Sequence, residues 1–128
     1  MIVRTLEDIE GSERDVRGPC WMSRRFLLAE DGMGLTLTET TVEPGSEQDL
    51  WYKYHLEANY IVEGEGELEE VATGARYPLK PGTMYALDKH DRHRVRAFTR
   101  MKIVCIFTPA LTGREVHDDD GAYAPPPD

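Results

Sequence analysis

The 128-residue chain is short of cysteine, of basic residues and of long apolar runs. Its two cysteines, Cys20 and Cys105, form no Cys-x-x-Cys pair. That excludes a zinc knuckle and a thioredoxin-like redox motif, and two free thiols in a reducing compartment are expected. No apolar stretch approaches the roughly 18 residues that a membrane-spanning helix needs. The opening Met1-Ile2-Val3-Arg4-Thr5-Leu6-Glu7-Asp8 carries acid where a secretory leader would carry an apolar core. A cytoplasmic location is therefore expected. Lys and Arg number 15 against 24 Asp and Glu, a net charge of −9. Such a balance argues against nucleic acid, whose phosphates call for clustered basic residues, and against an anionic membrane surface. The acidic surplus suits solubility at high ionic strength.

Hydrophobic residues make up 40% and charged residues 30%, the balance of an ordinary folded chain rather than a disordered one. The length fits one domain over residues 1–128. Thr5-Leu6-Glu7-Asp8 reads as a capping box that opens a short helix, with Gly11 at its end. From Gly18-Pro19 onward the pattern changes to short segments of period two, broken by glycine and proline. Ser23 to Leu28, Gly34 to Val42, Trp51 to Glu63, Glu67 to Val71, Thr83 to Leu87, His93 to Ala97 and Met101 to Phe107 are the strand candidates. Many short strands between Gly/Pro turns predict an all-β sandwich or barrel with one short N-terminal helix. The remainder from Leu111 is polar and acidic, and its end, Ala124-Pro125-Pro126-Pro127-Asp128, is expected to be mobile.

Alternation assigns faces. His55, Glu57, Asn59 and Ile61 share one side of the longest candidate strand; Leu56, Ala58, Tyr60 and Val62 share the other. Tyr85 closes the strand after Pro81-Gly82, and His93 opens the next one. In an antiparallel barrel these segments can converge on one pocket. A carboxylate, an imidazole and one further oxygen or nitrogen donor suit a divalent first-row metal. Three protein ligands leave positions open for substrate. The same residues have a plainer reading: His and Glu at period two also describe a solvated strand face. Tyr85 would equally serve as a core aromatic, and His90, in a charged loop, as a solvated side chain.

Gly45, then His55-Leu56-Glu57 and Gly64-Glu65-Gly66, resemble a degenerate first cupin motif. Pro81-Gly82-Thr83-Met84-Tyr85 resembles the second, with tyrosine where cupins usually place histidine. The blocks MIVRTLEDIEGSERDV (Met1 to Val16), WMSRRFLL (Trp21 to Leu28), WYKYHLEANYIVEGEGE (Trp51 to Glu67), YPLKPGTMYALDKHDRH (Tyr77 to His93) and LTGREVHDDDGAY (Leu111 to Tyr123) are similar to the ectoine synthase family, in order along almost the whole chain. Two departures from general cupins fit that subtype: no second histidine in the first motif, and Ile61 where a carboxylate is usual. Pro125-Pro126-Pro127 lies outside the matching blocks.

The resemblance implies a small cupin-type jelly-roll barrel and a homodimer. It implies a carbon–oxygen hydro-lyase that closes N4-acetyl-L-2,4-diaminobutyrate into L-ectoine, a compatible solute. It implies iron(II) held by Glu57, Tyr85 and His93. Substrate contacts are implied for Trp21, Arg25, Thr40, Cys105 and Phe107, and catalytic or supporting roles for Tyr52, His55, Glu115 and His117. Residues 111–128 would form a lid. Read from the residues alone, Arg25 is equally an edge-strand surface arginine, Thr40 an ordinary strand residue, and Cys105 and Phe107 plain core. Two other readings keep the barrel: a non-enzymatic cupin that binds a small ligand, and a metal-dependent isomerase or dioxygenase.

Overall fold

The computed structural model describes residues 1–126. Helix α1 (Leu6–Ile9) is followed by β1 (Asp15–Arg17), β2 (Trp21–Leu27), a 3-10 turn (Ala29–Asp31), β3 (Thr36–Val42), β4 (Glu47–Leu50) and β5 (Leu56–Glu63). Then come β6 (Gly66–Glu70), β7 (Arg76–Leu79), β8 (Met84–Leu87), β9 (His93–Ala97) and β10 (Met101–Thr108). Thr5 caps α1 through a capping box with Asp8, as the sequence predicts, but the helix ends at Ile9, before Gly11.

Two antiparallel sheets face each other. One runs β1-β2-β3-β10-β5-β8 and the other β4-β9-β6-β7. The core between them includes Ile61, Leu79, Val95, Met101, Ile103 and Leu111, all nearly inaccessible to water. Alternation explains which residues reach it: Met101, Ile103, Cys105 and Phe107 of β10 are buried, and Lys102, Val104 and Ile106 between them are not. Glycine sets the tight corner after β5. Gly64 has φ +89°, and a Cβ there would collide with the Arg100 carbonyl, so only glycine fits.

Three expectations are corrected. The predicted strand Trp51 to Glu63 begins late: residues 51–55 are irregular, and β5 starts at Leu56, while Glu47–Leu50 just before them forms β4. At the start of the irregular stretch the Trp51 N–H donates to the Gly121 carbonyl rather than to a sheet neighbour. β1, β4 and β7 were missed, being short edge strands without apolar alternation. The stretch after Leu111 is not uniformly solvated: Leu111, Gly121, Ala122 and Tyr123 are buried. Of the tail expected to be mobile, Pro127 and Asp128 lie outside the described residues. No helix among the described residues is long and apolar enough to cross a membrane.

Candidate active site

The six-stranded sheet turns polar side chains inward. Trp21, Ser23 and Arg25 alternate along β2, Thr38 and Thr40 along β3, and Glu57 and Asn59 along β5. Tyr85 of β8 and Cys105 and Phe107 of β10 complete that wall. Gln48, Leu50 and Val95 oppose it from the other sheet. Tyr52, Leu111, His117 and Tyr123 close the end. The space between these walls, open at one side, is about 60 Å³, room for a few waters or one small solute. Nine of the twelve anticipated site residues line it: Trp21, Arg25, Thr40, Tyr52, Glu57, Tyr85, Cys105, Phe107 and His117. His93, His55 and Glu115 do not.

His93 sits immediately behind Glu57, with Nε2 3.8 Å from the Glu57 Oε1. Both atoms are buried and neither has a hydrogen-bond partner. Burial pushes Glu57 up to about 8, with the Asn59 amide opposing. Burial also holds His93 below the usual imidazole range, against the Asp91 backbone carbonyl. His93 Nδ1 lies 3.0 Å from that carbonyl. A carbonyl only accepts, so Nδ1 carries the proton and the Nε2 lone pair points at Glu57. Tyr85, facing the same space, is held protonated by burial and then by the Glu57 charge. A carboxylate oxygen, a free imidazole nitrogen and a phenol, all desolvated and two of them unpartnered, fit a divalent first-row cation. The cation's charge would favour the ionised carboxylate and phenolate that burial alone disfavours. Among the described residues no three His, Cys, Asp or Glu side chains cluster; the third donor here is a tyrosine.

At the opposite end, Arg25 is buried. One guanidinium nitrogen donates to the Gly113 carbonyl at 2.8 Å, and its Nε has no partner. The edge-strand surface reading of Arg25 is thereby excluded. Glu115 holds the turn that presents Gly113. Its carboxylate accepts from the backbone N–H of Thr112, Gly113 and Arg114 and from the Thr112 hydroxyl. Burial alone would raise its pKa, but those bonds together hold it below the usual carboxylate range.

Tyr52 Oη lies 2.8 Å from His117 Nε2. Burial keeps Tyr52 protonated and lowers the His117 pKa; the imidazole tautomer sets which of the two donates. His55 is buried edge-on against Phe107 and Tyr123, with both ring nitrogens unpartnered. Burial pushes the Cys105 thiol up to about 12. It therefore remains S–H, 3.6 Å from the Thr40 hydroxyl, and lines the pocket without acting as a thiolate. His90 is exposed as expected, yet its Nδ1 donates to the Tyr52 carbonyl at 2.9 Å.

The family model for ectoine synthase matches residues 1–127. The chain belongs to the ectoine synthase family. It is 56% identical to the L-ectoine synthase of Desulfatibacillum aliphaticivorans over 125 residues, covering 96% of each chain. It is 52% identical to that of Oceanobacillus iheyensis over 123 residues, again covering 96% of each. A crystal structure of ectoine synthase from P. lautus superposes with a TM-score of 0.89 at 51% identity, covering 94% of this chain and 87% of that one. An RmlC-like cupin from Shewanella frigidimarina, 20% identical with a TM-score of 0.65, bears on the fold alone and agrees with the cupin reading.

Within this ectoine synthase fold, sequence reasoning passed over Asn59 and Tyr123 as site residues. Asn59 had a signal, since it alternates onto the face of Glu57. Tyr123 had none from periodicity, because it arrives from an irregular segment. Its ring stacks on His117 at a centroid distance of 4.3 Å and on Tyr52 at 5.2 Å. Gly121 makes that approach possible: it has φ +75°, and a Cβ would strike the Asp49 carbonyl.

Proposed function

We propose that this chain closes N4-acetyl-L-2,4-diaminobutyrate into L-ectoine with loss of water. The observation that carries the reading is a desolvated, one-sided polar pocket inside a chain that matches ectoine synthases from end to end. Glu57, Tyr85 and His93 would hold iron(II), which supplies a Lewis acid to polarise the acetamide oxygen.

The chain's own residues do the rest. Arg25 takes the substrate carboxylate through its free Nε edge, and the Thr40 hydroxyl adds a donor. Trp21, Cys105 and Phe107 form the wall that bends the flexible substrate, so that its α-amine meets its own acetamide carbon. One C–N bond forms, and the carbonyl oxygen leaves as water with both protons of the neutral amine. A proton leaving the amine can pass to Tyr52 Oη as Tyr52 hands its own to His117 Nε2. His55 supports this group from behind Phe107. Glu115 acts as a positioning residue, through the turn that gives Arg25 its Gly113 partner. Residues 111–126 serve as a lid, and a closed mouth favours a dehydration by excluding water.

We further propose a cytoplasmic homodimer. Its support is the unpaired β8 edge and the exposed apolar side chains Leu56, Tyr60, Val62 and Met84 beside it, which a second copy would cover.

The test is a chromatographic assay of purified protein on N4-acetyl-L-2,4-diaminobutyrate under anaerobic conditions, with and without added iron(II). Iron-dependent ectoine is the expected result. No ectoine from folded, iron-loaded protein would overturn the reading in favour of a small-ligand-binding cupin.

A further inference from the structure

One row of side chains crosses the six-stranded sheet in register: Arg25 pairs with Thr38, Thr38 with Cys105, Cys105 with Asn59, and Asn59 with Tyr85. All five face the pocket. Neighbouring strands lie about 4.8 Å apart, so the row spans about 19 Å, with Asn59 one strand from Tyr85.

Most members of the row have partners within the protein. Arg25 holds Gly113, the Thr38 hydroxyl meets that of Thr40 at 3.3 Å, and the Cys105 thiol reaches Thr40. Asn59 differs. The residue is 3% exposed, and its Nδ2 makes no hydrogen bond. A buried amide donor left unpaired is rare, and asparagine is itself disfavoured in strands. The Glu57 carboxylate is the acceptor facing it, close enough to feel the amide yet not hydrogen-bonded to it; a ligand with an acceptor oxygen would complete the donor.

Resting on the reaction read above, we propose that Asn59 is a further catalytic residue. It donates from Nδ2 to the acetamide oxygen of the substrate, as the negative charge grows there during amine attack. The carboxylate, the substrate's other acceptor, is taken at the Arg25 end of the row. The acetamide then falls at the Glu57 and Tyr85 end, where Asn59 stands. A preorganised donor aimed at a developing oxyanion contributes more to the transition state than to the bound substrate.

Asn59→Ala and Asn59→Ser are expected to lower kcat by about 10²-fold, with KM within about threefold of wild type. Iron per chain and the thermal midpoint should stay at wild-type values. A second readout needs no turnover. In metal-free protein given substrate with a 13C-labelled acetyl carbonyl, difference infrared spectroscopy should show the carbonyl stretch at higher frequency in both variants than in wild type. Unchanged kcat, or an unshifted stretch, overturns the proposal. Iron lost in step with kcat also overturns it, because Asn59 would then merely orient Glu57. Should Asn59→Ala fail to fold, Asn59→Ser carries the same test. Wild-type protein that makes no ectoine would sink the reaction itself, and the infrared comparison would still report the hydrogen bond.

Discussion

The two sheets differ in how they divide polar from apolar side chains. The four-stranded sheet is built in the ordinary way, with Leu68, Leu79, Val95 and Ala97 inside and charges outside. Those outer charges alternate by strand: Glu47 and Asp49 on β4, Arg94 and Arg96 on β9, Glu67 and Glu69 on β6, Arg76 on β7. Ion pairs cross every boundary. The six-stranded sheet is mixed: Ile61, Met101, Ile103 and Phe107 pack inside, but polar groups join them there and apolar ones lie outside. Arg25, Thr38, Glu57, Asn59 and Tyr85 point in, while Leu56, Tyr60, Val62 and Met84 point out. Burying charge and exposing apolar surface both cost stability. A sheet that does both at once is shaped by what it binds: a substrate on one face and, in our reading, a second copy on the other. The four-stranded sheet supplies the packing that sustains it.

Substitutions sharpen this contrast. The largest effect is expected on the inner face. Glu57→Ala should abolish both iron binding and cyclisation, read as metal per chain and as ectoine formed; full iron retention would remove Glu57 from the ligand set. Arg25→Lys should raise KM roughly tenfold, because an ammonium cannot reproduce the planar fork; an unchanged KM would take Arg25 out of the carboxylate site. On the outer face, Tyr60→Glu should convert a dimer to monomers in light scattering, without emptying the metal site.

The smallest expected effect lies at the sheet's margin. Asp31 accepts from Arg4 at 2.8 Å, from Arg14 at 2.9 Å and from the Leu28 N–H at 2.9 Å. The two guanidinium hydrogen bonds, Arg4 first, hold its carboxyl well below the usual range. A depressed folded pKa contributes stability above the unfolded value, near 4, and loses it as pH falls below that. Asp31→Asn should cost about 2 kcal/mol at neutral pH. It should also flatten the acid limb of a pH series of unfolding midpoints; an unaltered limb would assign acid sensitivity elsewhere.

Much of this was legible before the structure. Period two placed Glu57 and Asn59 on one face and Tyr60 on the other, because β5 is long and alternates cleanly. β9 was equally clear, with His93, Val95 and Ala97 buried and Arg94 and Arg96 between them. Edge strands were not legible. Glu47–Leu50 is held by pairing with β9, a partner remote in sequence, and it has no apolar rhythm of its own. The role of Glu115 was hidden for a similar reason, since local backbone bonding rather than residue type decides it. Tyr123 was hidden too: its place depends on a turn in which Asp118 accepts from the backbone of Asp120 and Ala122.

The pairing of β2 with β3 shifts register between Arg25 and Leu27. Trp21, Ser23 and Arg25 therefore keep one phase, and the chain beyond them, ending in buried Leu28, follows another. Strand phase is binary, so gaining or losing one residue between Trp21 and Arg25 would turn the pocket side chains on one side of the change to solvent. The irregularity acts as a joint that absorbs length changes on its far side only. The interval from Trp21 to Arg25 can accordingly change by substitution but not by insertion or deletion. Its length is as much a part of the site as the residues that fill it.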